Sequence, residues 1–424
     1  MYKHIYKKMT MFMAQETIFV FLSLADVACV RTLGDNATIA VTFATTIYAL
    51  MFNLQLVFTN SLRVIQARYY GANDLKGVAS ALTSATIISE GIAITVSIAY
   101  LIGGKSLLSL FALTPEQLEI AHSYLLARLP GYCIYALVNG IPRTIEASGQ
   151  IGKLTKVRLC NLINVPLNLV FIPILGAAGA AVATNITEFT ELILMLIIFK
   201  PKFGRPEKHK FKEVLRYGLV QLPMRFISPF TNTLISNAYL QYLTPIHLVV
   251  LNVVDSLYYQ IQCIMASPAM WIETEAGQAY GSGDMSLFQS KYTQFKHCYA
   301  RMIVCHIPVT IILGYVYLSF IAPVGDIWLA LELIISRIAI ALPFYIANAG
   351  KSVLTILGVL QPPMIARMVG LIITKMAAAY IALSLGAGVF TLPICYFASD
   401  IPFIITVLWC LKKKQNILRV CIEN

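Results

Sequence analysis

Runs of about twenty apolar residues, each long enough to cross a bilayer as a helix, follow one another along the whole chain and are separated by short polar or Gly-containing junctions. The pattern predicts helices over residues 8–33, 36–64, 77–103, 119–146, 153–175 and 178–199. It resumes after a polar, basic stretch, PKFGRPEKHKFKE (201–213), with helices over 214–243, 246–274, 289–322, 327–356, 361–385 and 389–412. The expected fold class is an all-α polytopic membrane protein of about 12 transmembrane helices. Its divisions are an N-terminal six-helix bundle (1–200), a cytoplasmic linker (201–213) and a C-terminal six-helix bundle (214–424).

Composition agrees. The 424 residues are 58% hydrophobic and 12% charged, with a mean hydropathy of +0.74, whereas soluble globular domains carry about 25% charged residues. The net charge of +12 is topological. Lys and Arg cluster at every second junction, among them Lys3, Lys7 and Lys8, then Arg63 and Arg68, then Arg143 to Arg158, then 200–216. By the positive-inside rule both termini are cytoplasmic and the number of spans is even. A multi-pass plasma-membrane protein that binds no nucleic acid follows. The N-terminus has the look of a signal peptide, but Asp26 interrupts the apolar run where a cleavage site needs an aliphatic residue, so the segment reads as the first span. The nine Cys lie scattered, mostly in apolar runs, without metal spacing, and read as small buried hydrophobes.

The halves repeat. Tyr70-Gly71-Ala72-Asn73-Asp74 recurs as Tyr280-Gly281-Ser282-Gly283-Asp284, 210 residues on. Arg128 and Arg337, Asn139 and Asn348, Gly149 and Gly358, and Arg158 and Arg367 are each 209 apart. An even number of spans separates the copies, so they share orientation, as in transporters that rock one bundle against the other.

Inside the apolar runs, Asp26 stands out, since a carboxylate in hydrocarbon costs about 3 kcal/mol on insertion scales and is normally paired or used. Asn161, Asn164 and Asn168 share one stripe of the fifth helix, and Thr184, Glu188 and Glu191 one stripe of the sixth. Counted inward from Gly34 and Gly176, Asp26, Asn168 and Thr184 each lie roughly 12 Å deep at 1.5 Å per residue. One carboxylate, two amides and a hydroxyl at one depth suit either of two coupling ions. Oxygen ligands can replace the water of a sodium ion at Asp26, Asn164, Asn168 and Thr184, or Asp26 can carry a proton, which a carboxylate held away from water takes up more readily.

In the second half Arg225, Asp255 and Lys375 also sit deep in apolar runs, where charges face a cavity and pair. Together with Asn161, Glu188 and Tyr259 they are candidates to line a substrate cavity, and the two cations admit an anionic cargo. Gly149-Gln150-Ile151-Gly152-Lys153 and Gly350-Lys351-Ser352 lack the earlier glycine of a phosphate loop, so ATP is not expected to be used. The chain holds no H-E-x-x-H and no catalytic cluster, which argues against an enzyme.

Three stretches resemble the multidrug and toxic compound extrusion (MATE) transporters, within the multidrug, oligosaccharidyl-lipid and polysaccharide exporter (MOP) superfamily. They are Leu24-Ala25-Asp26 with Thr32-Leu33-Gly34, then Gln66 to Asp74, then Asn161 to Thr184. The resemblance implies two bundles forming a V-shaped cleft that opens alternately to each side, and places Asn139 of the fourth helix near the cation-coupling residues. It implies a monomeric H+- or Na+-coupled antiporter without a cofactor, exporting small amphipathic or cationic compounds. The alternative is a flippase or exporter of a lipid-linked or anionic cargo. The chain departs from the family in two places: the loop after the fourth helix lacks the Arg-Gly…Gly-Asp pattern, and Ser236 stands in the second half where Asp26 stands in the first.

Overall fold

A computed structural model describes residues 2–111, 113–239, 245–316, 318–319, 326–386 and 388–423. Among the described residues the fold is all α and contains no strand. The N-terminal half holds α1 (Tyr2–Arg31), α2 (Asp35–Gly71), α3 (Leu75–Leu108) and α4 (Pro115–Ala147). It continues with α5 (Ile151–Leu175, interrupted by the 3₁₀ turn Leu159–Ile163) and α6 (Ala177–Phe199). The second half holds α7 (Lys208–Tyr239), α8 (Pro245–Ala266 and Met270–Gly281, joined by Ser267–Ala269) and α9 (Met285–Val316). It ends with α10 (Ile327–Ile356), α11 (Gln361–Ser384, with a π turn at Gly370–Thr374) and α12 (Thr391–Glu423).

The helices outrun the apolar runs, most clearly at α2, α8 and α12. Their polar ends carry no hydrophobic signal but continue the backbone ladder of the buried part. Among the described residues nine helices are long and apolar enough to cross a membrane, and α4 is not one of them. The charges of α4 point inward: Arg128, Arg143 and Glu146 are all buried. The chain is a multi-pass α-helical membrane protein.

Junction chemistry sets the helix starts. Thr114 and Gln117 form a capping box at α4, with Pro115 in the first helical position. The carboxylates of Asp74, Asp284 and Asp326 accept backbone N–H bonds at the starts of α3, α9 and α10, at 2.7, 2.8 and 2.9 Å. Just before two of those caps the chain takes a left-handed turn, at Asn73 (φ 57°) and at Gly283 (φ 77°), the only residue types that enter that region cheaply.

The chain forms two compact units, Ala14–Leu222 and Met1–Met13 with Pro223–Asn424. In the first, Ala40, Ala44, Ala93, Ala121 and Ala181 surround Tyr48, Met51 and Tyr132, and these small residues let helices approach where lipid supplies no hydrophobic drive. The linker belongs to this unit. Lys210 Nζ lies 2.8 Å from Asp74, Glu213 is bound by both Arg68 and Tyr69, and the Gly204 and Glu207 N–H groups donate to Thr83 and Ser80. In the second unit Ala347, Leu354, Phe403 and Val407 form a core, and Lys8 of α1 joins Lys291 on Glu275 of α8.

The internal repeat reappears as repeated contacts. The Arg128 guanidinium stacks on Tyr48 at 4.6 Å, and Arg337, 209 residues on, stacks on Tyr258 at 4.3 Å. Arg158 pairs with Glu191 at 3.4 Å, while Arg367 pairs with Asp400, again 209 residues on at both ends. One repeated position has changed sign. Arg63 bonds Glu146 in the first unit, and its counterpart Glu273 accepts from Ser352 in the second.

Candidate functional site

The fifth helix is built in two pieces. Its 3₁₀ turn carries Asn161 and ends as the regular helix resumes at Asn164, one turn before Asn168. The tight turn rotates Asn161 away from the other two, so the three amides serve two different clusters.

The upper cluster is a chain of hydrogen bonds across three helices of one unit. Asn168, fully buried on α5, donates its Nδ2 to Asp26 Oδ1 of α1 at 2.5 Å and to Asn164 Oδ1 at 2.8 Å. Asn164 Nδ2 donates to Thr184 Oγ1 of α6 at 3.2 Å, and the Thr184 hydroxyl donates to the Ala180 carbonyl one turn back at 2.9 Å. Asp26, Asn164, Asn168 and Thr184 are thus brought together. The Asn168 Oδ1 is buried with no hydrogen-bond partner. An orphaned acceptor beside a carboxylate costs about 1–3 kcal/mol, so this cluster is one hydrogen-bond donor short.

Beneath it the polar residues are committed to one another. Glu188 of α6 receives both arms of Arg128 of α4, at 2.6 and 2.9 Å, and Arg128 also donates to Asn185, whose amide donates to the Ala127 carbonyl at 2.6 Å. Asn161 donates to Glu191 at 2.9 Å, and Glu191 pairs with Arg158. Arg158 bonds Gln15 of α1 and lies 3.6 Å from Glu146, which Arg63 and Arg143 also hold. Asn139 donates to Tyr135 on its own helix at 3.0 Å, and the structure brings it to none of the four upper residues by a hydrogen bond.

In the other unit Lys375 is fully buried at the start of the last part of α11. Its Nζ lies 4.5 Å from the centre of the Tyr396 ring and 3.5 Å from Thr231 Oγ1. Arg337 reaches the same Tyr396 ring at 4.1 Å, so two cations share one aromatic ring. Arg225 is half-buried on α7 and has no ion pair among the described residues. Tyr259 is 61% exposed, while its neighbour Tyr258 turns inward beneath Arg337. The side chains of Asp255 and Ser236 lie outside the described residues.

Sequence reasoning missed Arg128, Asn185, Tyr48, Arg337 and Tyr396. The signal for the two arginines was present, since they repeat at the 209-residue offset, but a repeat marks the kinship of the halves and does not by itself point to a site. Their aromatic partners have no separate signature in a chain this rich in Tyr.

Residues 12–170 match the MatE family profile. No curated protein matches the sequence. Among solved structures, a MOP superfamily transporter from Pyrococcus furiosus, described as having a binding pocket of reverse polarity that suggests a different function, is 16% identical. It superposes with a TM-score of 0.86 over 99% of this chain and 96% of its own. An outward-facing multidrug resistance MATE family transporter of the MOP superfamily is 16% identical, with a TM-score of 0.84 over 98% of this chain and 96% of its own. A MATE transporter in complex with MaL6 is 16% identical, with a TM-score of 0.87 over 99% and 97%. Residues 12–170 thus match the MatE family profile, and the chain as a whole has the fold of the solved MATE and MOP superfamily transporters.

Proposed function

We propose that this protein is an ion-coupled antiporter that exports small amphipathic or cationic organic compounds by alternating access. It sits in the plasma membrane as a monomer with both termini in the cytoplasm. The observation that carries the reading is the Asp26–Asn168–Asn164–Thr184 chain, in which the carboxylate has no cationic partner within hydrogen-bond reach and the Asn168 amide oxygen beside it has no partner among the described residues. Glu146 of α4 and Glu188 and Glu191 of α6 are instead each paired with arginines.

The coupling ion we assign is the proton. An amide N–H, a donor, faces Asp26 Oδ1, whereas a sodium cage would turn oxygens toward the cation. Protonation of Asp26 would add an O–H, which the empty Asn168 Oδ1 can accept. A bound ion biases the two-state equilibrium only by its difference in affinity for the two states, so the environment of Asp26 must change between them.

A second reading, export of an anionic or lipid-linked cargo, draws on Lys375 and Arg337 sharing Tyr396, and on the reversed pocket polarity described for the Pyrococcus relative. One experiment separates the two. In proteoliposomes with an imposed proton or sodium gradient, a fluorescent cationic dye moves under the first reading and Asp26→Asn abolishes the movement. Movement of an anionic dye or lipid that requires Lys375, with no cationic dye movement, selects the second.

A further inference from the structure

The first turns of α1 pack into the second unit, with Ile5 and Met9 buried and Lys8 tied to Glu275. Beside that anchor a groove of about 610 Å³ runs between α1 and α9, lined by Tyr6, Thr10, Arg301, Met302, Val304 and Cys305. Its volume falls within the range of about 300–1,000 Å³ typical of small-molecule sites. The deeper wall is apolar and open: Val304 is 64% exposed and Cys305 is exposed. The other end is cationic and polar. Arg301 is exposed and forms no ion pair among the described residues, and Tyr6 and Thr10 add two hydroxyls. Helical spacing puts exposed Lys3 on the Tyr6–Thr10 stripe and exposed His297 on the Arg301–Cys305 stripe, both one turn nearer the basic end.

We propose that this groove is a binding site for an anionic phospholipid of the cytoplasmic leaflet. Both helices that form it are long and apolar enough to cross a membrane, so the groove opens to acyl chains rather than to water. A chain lies along Met302, Val304 and Cys305, and the phosphate meets Arg301, with Lys3 close enough to add to the field. A soluble anion would leave the apolar wall uncovered, and a zwitterionic lipid would bring its own cation to Arg301. Basic pockets between transmembrane helices at the cytoplasmic side are where such headgroups are held.

Cys305 is a native reporter, the exposed one among the described cysteines. The full chain in detergent is titrated with dioctanoyl phosphatidylglycerol or dioctanoyl phosphatidylcholine, and maleimide labelling of Cys305 is read by peptide mass spectrometry. Half-protection is expected at a phosphatidylglycerol concentration at least fivefold lower than for phosphatidylcholine. The preference should shrink to within twofold in Arg301→Gln and return in Arg301→Lys. Val304→Trp, which fills the apolar wall, should remove protection by both lipids and serves if Arg301→Gln does not fold. Equal protection by the two lipids in the wild type, a preference unchanged in folded Arg301→Gln, or undiminished protection in Val304→Trp overturns the assignment.

Discussion

Replacing Asn168 by Leu keeps the branched shape and the heavy-atom count and removes the amide that joins Asp26 to the rest of the cluster. Two hydrogen bonds disappear, at 2.5 Å to Asp26 and at 2.8 Å to Asn164. The bond to Asn164 joins two neutral groups on one helix and is made whatever the state of Asp26, so its loss, about 1 kcal/mol, falls on stability alone. The bond to Asp26 is different, because its strength depends on whether the carboxylate is charged. A hydrogen bond to a charged acceptor contributes about 1.5–3 kcal/mol, and that difference enters the ion-binding equilibrium directly. The half-saturating ion concentration for dye antiport should therefore move by about 10- to 150-fold, at roughly 1.4 kcal/mol per tenfold. Turnover at a fixed gradient should fall with it. Initial rates in proteoliposomes, measured across a pH series at fixed sodium and a sodium series at fixed pH, give both the shift and the ion responsible. Asn161→Leu is the control, since that amide is committed to Glu191 and should leave the half-saturating concentration unchanged. A folded Asn168→Leu protein with wild-type ion dependence refutes the reasoning, because the amide at Asp26 would then contribute nothing to loading.

Arg128→Gln leaves Glu188 buried without its two-armed partner and should destabilise the protein by about 3–5 kcal/mol; a thermal-shift assay in detergent should show a lower melting temperature, partly restored in the Arg128→Gln, Glu188→Gln double variant. At the junction of α2 and α3, the Lys210 ammonium and the Gly77 N–H hold the Asp74 carboxyl below its ordinary value of 3.8. The stabilisation is thus present above that value and is lost only as pH falls through the lower folded value. The melting-temperature gap between wild type and Asp74→Asn should be flat from about pH 5 to 8 and close in acid below 3.8. Gly370 on α11 faces the Ser399 carbonyl of α12, where an added Cβ has no room, so Gly370→Ala should cost about 1–3 kcal/mol by the same assay. Gly91→Ala on α3, where the space is open, should instead be neutral or stabilise by up to about 1 kcal/mol.

The polar column of the first unit joins three layers that differ in how much choice they leave. Around Glu146, three arginines close on one buried carboxylate, and such a cluster sets register in a medium that offers buried charges no other partner. The Arg128–Glu188 layer is equally closed. At Asp26 the carboxylate has no cationic partner within hydrogen-bond reach, and that difference in pairing, more than depth, sets the site we propose to exchange an ion apart from layers that hold helices together.

What the sequence alone determined follows from the bilayer's own demands. Spans of about twenty apolar residues, basic junctions on alternate sides and a repeat at 209–210 residues are one-dimensional patterns, because hydrocarbon thickness and backbone hydrogen bonding impose them on each helix separately. The meeting of Asp26, Asn164, Asn168 and Thr184 was legible for the same reason, since equal depth from Gly34 and Gly176 is a count of residues along straight rods. Azimuth was not legible. Which way each helix is turned is set by neighbours: by the 3₁₀ turn that rotates Asn161 onto Glu191, by the small residues that bring α4 against α6 so that Arg128 takes Glu188, and by the contacts that place Tyr258 inward and Tyr259 outward. Those choices depend on several helices packing at once, and only the tertiary structure makes them.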